Sequence, residues 1–221
     1  MQKRKSNYFH NIQRYKYQFS KNRVKIIHKK YRGCIITNCT FKNMTIENVD
    51  FIGTNLKKNS FKNTKFVNCF FLNCNFEQSN FSNASFINVY FCACKLSNCK
   101  NLRIPQNYIL NKPYNTNISN YDLLYTIKQI AVAKNCEEYR VISVSNNKIN
   151  LWTLGILLDL YDECLLNSFL SKAVKSNIYP FVTLYDYINA IDNYNRKCYH
   201  NRCPASERIS GNAMINHGDK Y

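Results

Sequence analysis

The sequence predicts a mainly β solenoid of square cross-section, followed by a small helical region. The first observation is a large apolar residue at every fifth position from Ile36 to Leu96. The second is that this register stops after Leu96, and that helical periodicities begin near residue 119. The third is an N-terminal segment of 33 residues that carries 11 Lys or Arg and no Asp or Glu, which sets a basic arm apart from the solenoid.

The period of five matches neither an α-helix, which repeats near 3.6, nor a flat strand, which repeats at 2. It fits a chain that turns a corner every five residues, so that four corners close a square and twenty residues form one coil. Successive coils would then stack about 4.8 Å apart, as strands do. We therefore expect a little over three coils, with inward ladders of the following residues: Ile36, Phe41, Ile46, Phe51, Leu56, Phe61, Phe66, Phe71, Phe76, Phe81, Phe86, Phe91 and Leu96.

Two further positions of each five-residue unit are constrained. A mostly small residue stands two positions before each large one, and six of these small residues are Cys34, Cys39, Cys69, Cys74, Cys94 and Cys99. Because a free thiol packs as a compact hydrophobe, we interpret them as core residues. The alternative is a zinc site, which four converging ligands would have to form. Asn recurs two positions after the large residue and suits a corner, because it tolerates unusual dihedrals.

This pattern of a small residue, a large apolar residue and recurrent Asn resembles the pentapeptide-repeat family, from residue 34 to about 99. The resemblance implies a right-handed quadrilateral β-helix and a role as a rigid binding surface. One group of the family, the quinolone-resistance type, is similar to B-form DNA in shape and negative charge and engages DNA gyrase or topoisomerase. The repeats here carry 6 basic and 3 acidic residues, which argues against that role. A second group, within secreted bacterial effectors, joins a solenoid to helices and has the more similar architecture.

The flanks of the solenoid divide into four further segments. We expect an arm and possible solenoid cap at 1–33, the β-helix at 34–104, a linker at 105–118, a mainly helical domain at 119–194, and a polar, disordered tail at 195–221. Helices are predicted after Ser119, over 150–176 and after Pro180, with Ser119 and Asp122 as a capping box and a short strand near residue 142. The helices would form a separate domain or pack on the open end of the solenoid.

The arm interleaves basic and aromatic side chains, a composition that suits phosphate attraction with base stacking. The alternative is a solvated arm whose last part caps the first coil. The residues predicted to bind nucleic acid or an acidic partner are Lys3, Arg4, Lys5, Arg14, Lys16, Lys21, Arg23, Lys25, Lys29, Lys30 and Arg32.

No catalytic motif is visible, so neither an enzyme nor a cofactor is predicted. The segment with Cys198, His200 and Cys203 matches no zinc module, and no metal site is expected there. No apolar run reaches the roughly 18 residues of a membrane span, and the N-terminus lacks the apolar core of a signal peptide. The expected location is cytoplasmic, or inside a host cell if the protein is a delivered effector.

The sequence thus favours a non-catalytic scaffold that binds a protein through its solenoid surface, and the resemblance suggests a secreted bacterial effector as its specific form. The first alternative is a nucleic-acid-binding protein that uses the basic arm. A second alternative is a gyrase-interacting or topoisomerase-interacting protein of the quinolone-resistance type. A third alternative is an enzyme built on the C-terminal helices. Those helices are also a possible homodimer surface.

Overall fold

The computed structural model describes residues 8–10, 25–132, 139–145, 148–175 and 181–202. A six-stranded parallel sheet runs through the first half of the chain, with its strands in sequence order. The strands are β1 (Tyr8–His10), β2 (Lys25–Arg32), β3 (Thr45–Ile52), β4 (Lys65–Leu72), β5 (Ser85–Cys92) and β6 (Ile109–Leu110), with a single 3₁₀ turn at Gln106–Tyr108.

The strands form the coils of a β-solenoid. Residues twenty apart are paired, as in Ile46 with Phe66 and Phe66 with Phe86. Short bridges continue the same spacing on the other two sides of each coil, as in Asn55 with Asn75 and Ser60 with Asn80. The predicted four-sided solenoid is therefore confirmed.

The solenoid has about four turns, more than the sequence pattern suggested. The added coil comes from β2, which pairs with β3 although it lies before residue 34. Ile26 and Tyr31 continue the step of five backwards from Ile36, and both are buried in the solenoid core. Gly33, at φ 62°, provides the corner that leads into the next coil.

Aromatic ladders fill the interior of the tube, as the sequence predicts. The ring centroids of Phe41 and Phe61 are 4.9 Å apart, and those of Phe61 and Phe81 are 5.0 Å apart. Phe51 and Phe71 stack in the same way at 5.1 Å. These separations match the rise between coils, so each ring stacks on the equivalent ring of the next coil.

The small inward residues do more than fill space. Thr64 Oγ1 donates a hydrogen bond to Phe41 O at 2.8 Å, and Ser79 Oγ donates to Leu56 O at 2.9 Å. The thiols of Cys69 and Cys74 do the same with carbonyls 23 residues earlier. Burial raises the pKa of both thiols, so they remain protonated donors. The small inward residues thus donate hydrogen bonds to backbone carbonyls that point into the apolar core.

The corners lie two residues after each large one and adopt a left-handed backbone. Asn63, Asn68 and Asn73 have φ values of 55°, 51° and 53°. Asn reaches this region more readily than most residues, which explains its recurrence. The predicted corner role of Asn is confirmed, and Lys58, Gln78 and Ala93 take the same position with φ above zero.

The C-terminal half contains a short antiparallel pair and four helices among its described residues. The strands are β7 (Ser143–Ser145) and β8 (Lys148–Ile149), which pair with each other. The helices are α1 (Tyr121–Val132), α2 (Leu151–Leu160), α3 (Glu163–Lys175) and α4 (Leu184–Arg202). A strand near residue 142 and helices in these regions agree with the sequence prediction.

Three local predictions differ from the structure. The last helix, α4, continues to Arg202, although the segment 195–221 is predicted as a disordered tail. The cap of α1 is Asn120, whose Oδ1 accepts from Leu123 N at 3.1 Å, while Ser119 bonds to Glu163. The single helix predicted over 150–176 is broken at Tyr161, whose backbone is extended. Asp162 then caps α3 by accepting from Leu165 N at 2.8 Å, so an Asp well placed as an N-cap starts a new helix.

The helical region packs along one side of the solenoid. Phe70, Leu72 and Cys92, which point outward from β4 and β5, share an apolar cluster with Leu184 and other helical residues. The alternatives of a separate domain or a layer on the open end are therefore replaced by packing on a lateral wall. The physical reason is that this side presents outward apolar side chains for the helices to bury.

Candidate docking walls

The solenoid has four walls, each defined by the outward side chains of equivalent sides. Wall 1 carries residues 35, 37, 55, 57, 75, 77, 95 and 97, and wall 2 carries residues 40, 42, 60, 62, 80, 82 and 100. Wall 3 carries residues 25, 27, 45, 47, 65, 67, 85 and 87, and wall 4 carries residues 30, 32, 50, 52, 70, 72, 90 and 92. Because the interior is filled with rings, a surface function of the solenoid must use these walls, the corners between them or the ends of the tube.

Wall 4 is covered by the helical region. Phe70, Leu72 and Cys92 are buried there, and Tyr90 stacks on Tyr185 with ring centroids 6.5 Å apart. Burial raises the pKa of the Tyr90 phenol above its usual range. This wall holds the two halves of the protein together, and most of its side chains are buried in that contact.

A buried ion pair lies beneath α4 on wall 4. Lys30 Nζ is 3.4 Å from Asp50 Oδ2, and both side chains are essentially inaccessible to solvent. The same carboxylate oxygen accepts from Leu184 N at 3.0 Å, at the first residue of α4. Desolvation raises the pKa of Asp50 to about 6 and lowers the pKa of Lys30, with each charge partly offsetting the shift of the other.

A second polar contact joins β2 to the start of α4. His28 Nε2 lies 2.9 Å from Asp186 Oδ2. Asp186 also accepts from Thr183 N at 2.9 Å, while Thr183 Oγ1 accepts from Asp186 N at 3.2 Å. This reciprocal arrangement is a capping box, so the start of α4 is fixed by its own cap and by the solenoid together.

Wall 1 is polar and compensates its own charge. Glu77 Oε2 lies 2.7 Å from Lys57 Nζ and 3.4 Å from Lys95 Nζ, in a ladder across three coils. Hydrogen bonds from these two lysines hold the pKa of Glu77 below its usual value. Such a wall presents little unbalanced charge to a partner.

Wall 2 is basic and has no acidic residue. Lys42, Lys62 and Lys100 are exposed, and the other outward residues of the wall are Thr, Ser or Asn. Lys42 and Lys62 occupy equivalent positions of adjacent coils, about 4.8 Å apart in backbone rise. Like charges at that spacing repel each other, so an anion that binds between them would be favoured.

The corner between walls 2 and 3 carries an amide ladder. Asn63 Nδ2 donates to Asn43 Oδ1 at 2.8 Å, and Asn83 Nδ2 donates to Asn63 Oδ1 at 3.3 Å. Asn63 and Asn83 each use one of the two hydrogens of their amide nitrogen in this ladder. The corner therefore adds hydrogen-bond donors between Lys62 on one side and Lys65 on the other.

Wall 3 combines an apolar column with a polar one. The register stacks Ile27, Glu47, Val67 and Ile87 in one outward line. Ile27 and Ile87 are each 43% exposed, which is high for residues of this type in ordered strands. The neighbouring line contains Lys25, Thr45, Lys65 and Ser85. This is the wall on which apolar side chains are open to a partner.

The four predicted basic-site residues that the structure describes do not share one surface. Lys25 is exposed on wall 3, Lys29 is half-buried, and Arg32 Nη2 donates to Val144 O at 3.0 Å. Lys30 is completely buried against Asp50, so its prediction as a residue that contacts an outside partner is wrong: its charge is used inside the protein. Lys3, Arg4, Lys5, Arg14, Lys16, Lys21 and Arg23 lie outside the described residues.

Within the described ranges, no three His, Cys, Asp or Glu residues converge as a metal site would require. The cysteines described there are free thiols. Among the helices that the structure describes, none combines the length and the apolar character that crossing a bilayer requires.

Comparison with known proteins agrees with the geometry. The family model for pentapeptide repeats matches eight copies, over residues 34–71 and 60–98. Residues 34–98 are pentapeptide repeats. This pentapeptide-repeat solenoid is of a kind typical of protein-interaction scaffolds and generally non-catalytic. No curated protein matched the chain.

Sequence reasoning missed the contact of wall 4 with the helices, although a signal was present. The outward positions are polar on most sides of the pentapeptide-repeat solenoid, but on this one they include Ile52, Phe70, Leu72, Tyr90 and Cys92. Five apolar side chains pointing away from a filled tube need a cover. Sorting the outward residues by side, with a period of twenty, would have identified the covered wall.

Proposed function

We propose that the protein is a non-catalytic scaffold that docks another protein on wall 3 of its solenoid. The observation that carries this proposal is the exposure of Ile27 and Ile87 on wall 3, in one outward line with the half-buried Val67 and with Glu47, while wall 4 is covered. Exposed aliphatic residues aligned on a stiff surface are typical of a protein-binding patch.

The construction of the solenoid supports this role. Its core is filled by stacked rings, and its coils are joined by ladders of backbone hydrogen bonds. A surface held in this way keeps its shape when a partner binds, which reduces the entropy lost on association. The helices pack on wall 4, whereas wall 3 is a different side of the solenoid. A partner can therefore dock on wall 3 without displacing the helices.

Site-specific photocrosslinking in the organism of origin tests the proposal. A photoreactive amino acid replaces Ile87 on wall 3 and, as the matched control, Ser97 on wall 1 of the full chain. We expect a discrete protein adduct from position 87 that is absent from position 97 and is lost when Val67→Asp is added. Equal adducts from both positions, or none from position 87, would contradict docking on wall 3.

A further inference from the structure

We infer that the partner segment bound by wall 3 is an acidic amphipathic helix whose carboxylates contact the basic corner strip. The basic corner strip is the edge between walls 2 and 3, formed by Lys42, Lys62, Lys65 and the ladder of Asn43, Asn63 and Asn83. This inference rests on the proposed function and adds the chemistry of the partner.

The basic corner strip is built to meet negative charge. Lys42, Lys62 and Lys65 are all exposed, and none of them takes part in an ion pair within the described part of the chain. The amide ladder between them uses its internal oxygens as acceptors and retains amide hydrogens as donors. Walls 2 and 3 contain one carboxylate, Glu47, against the three cations of the strip, so the strip with its interposed donors keeps an excess of positive charge for acidic side chains.

The apolar column beside the strip has dimensions that fit a helix. Ile27 to Ile87 spans three coil steps, or roughly 14 Å at the strand spacing. A helix rises about 1.5 Å per residue, so roughly ten residues cover this length. Apolar residues on one face of such a helix would lie on Val67 and Ile87, and acidic residues on its flank would face Lys65 and Lys62.

A nucleic acid fits this surface less well than a polypeptide. Single-stranded nucleic acids bind basic grooves that also offer aromatic rings for base stacking. The exposed large apolar residues of walls 2 and 3 are the aliphatic Ile27 and Ile87, while the exposed aromatic residues Tyr121 and Tyr125 belong to α1. Three aliphatic side chains in a line that one carboxylate, Glu47, interrupts, next to cations, instead match a protein segment with one apolar and one acidic face.

The test is a selection from a displayed library of small three-helix bundles in which the exposed positions of one helix are randomised. The immobilised target is the full chain. Selected binders are sequenced, and their Kd is measured against the full chain and its variants. We expect apolar residues at helical spacing with an excess of Asp and Glu on one flank.

Charge reversal identifies the surface that is bound. The variant with Lys42→Glu, Lys62→Glu and Lys65→Glu should raise Kd by at least about tenfold, because attraction becomes repulsion. The control has the same change of charge at Lys112, Lys128 and Lys148, which are exposed away from walls 2 and 3, and should change Kd by less than about threefold. Replacing the three strip lysines with Gln gives a milder variant if the reversal impairs folding.

The outcomes separate the two proposals. The inference about the acidic helix is overturned if the selected binders have no excess of Asp and Glu, or if the Lys→Glu changes in the strip leave their Kd unchanged. If Val67→Asp nevertheless abolishes the binding of such binders, docking on wall 3 stands. Binders insensitive to both changes, or a library from which none is selected, overturn both. A last outcome concerns nucleic acid. If the full chain retains a 20-nucleotide single strand or a DNA duplex, if charge reversal of the strip abolishes that retention, and if no acidic helix is selected, the strip binds nucleic acid and the inference is overturned.

Discussion

Replacing Lys30 with methionine is expected to destabilise the contact between the solenoid and α4. The substitution keeps most of the side-chain volume but removes the cation 3.4 Å from Asp50 Oδ2. Asp50 keeps the hydrogen bond from Leu184 N, but its Oδ1 has no hydrogen-bond partner in the described structure. Breaking a buried ion pair costs about 3 to 5 kcal/mol, and the retained hydrogen bond places the expected loss near the lower value, about 3 kcal/mol at pH 8.

The loss should depend on pH in a defined direction. Burial raises the pKa of Asp50 in the folded protein to about 6 from an ordinary value of 3.8. Lys30 opposes this rise, so its removal raises the pKa further. At pH 8 the unpaired carboxylate must either stay charged or take up a proton, and both cost free energy. At pH 5 the folded carboxyl is already protonated, so the destabilisation should shrink to about 1 kcal/mol.

Urea unfolding at pH 8 and pH 5 measures both values. Trp152, the single Trp of the chain, reports on the helical region, and circular dichroism reports on the whole protein. Lys25→Met changes an exposed lysine of the same strand and should alter the free energy of unfolding by less than about 0.5 kcal/mol. Replacing both partners, Lys30→Met with Asp50→Leu, removes the unpaired charge but leaves Leu184 N without its acceptor, so the free energy of unfolding should stay about 1 to 3 kcal/mol below the original at both pH values. Equal losses for Lys30→Met at the two pH values would refute the assigned cause.

Four further predictions follow from the structure. Phe61→Ala, which removes a ring stacked between two others, should lower the free energy of unfolding by about 3 to 5 kcal/mol in urea. Asn73→Ala should cost about 1 kcal/mol because the residue has φ 53°, whereas Asn73→Gly should be nearly neutral in the same assay. Asp186→Asn should destabilise α4 by about 1 kcal/mol through the weakened capping box, measured by Trp152 fluorescence, with exposed Asp159→Asn as the silent control. If the basic arm binds nucleic acid, deleting residues 1–24 should abolish retention on a DNA or RNA resin at low salt, and the retention of the full chain should fall steeply as salt rises.

Each of these has an outcome that would contradict it. A loss below about 1 kcal/mol for Phe61→Ala would mean that the ring ladder does not support the core. Equal stability of the Ala and Gly variants at Asn73 would remove the argument from backbone conformation. Equal effects of the two Asp substitutions would exclude a specific cap. Salt-insensitive retention, or retention unchanged by the deletion, would remove the role of the arm.

The prediction of the fold succeeded because the repeat encodes it locally. A large residue every five positions requires a corner every five, and Asn two positions later supplies the left-handed backbone that the corner needs. The sequence prediction places the first coil in the arm because basic residues dominate residues 1–33, although Ile26 and Tyr31 continue the step of five. The break at Tyr161 was missed because the apolar spacing continues across it, and the cap at Asp162 prevails over that spacing.

The amino-acid order alone determined the coil, its register and the contents of its interior. These depend on residues twenty apart, whose contact follows from the repeat itself. Only the tertiary structure decided which wall the helices cover, that Lys30 pairs with Asp50 inside the protein, and that Ile27 and Ile87 remain exposed. Such outcomes depend on the match between surfaces more than a hundred residues apart in sequence, such as Asp50 and Leu184, and no local period specifies that match.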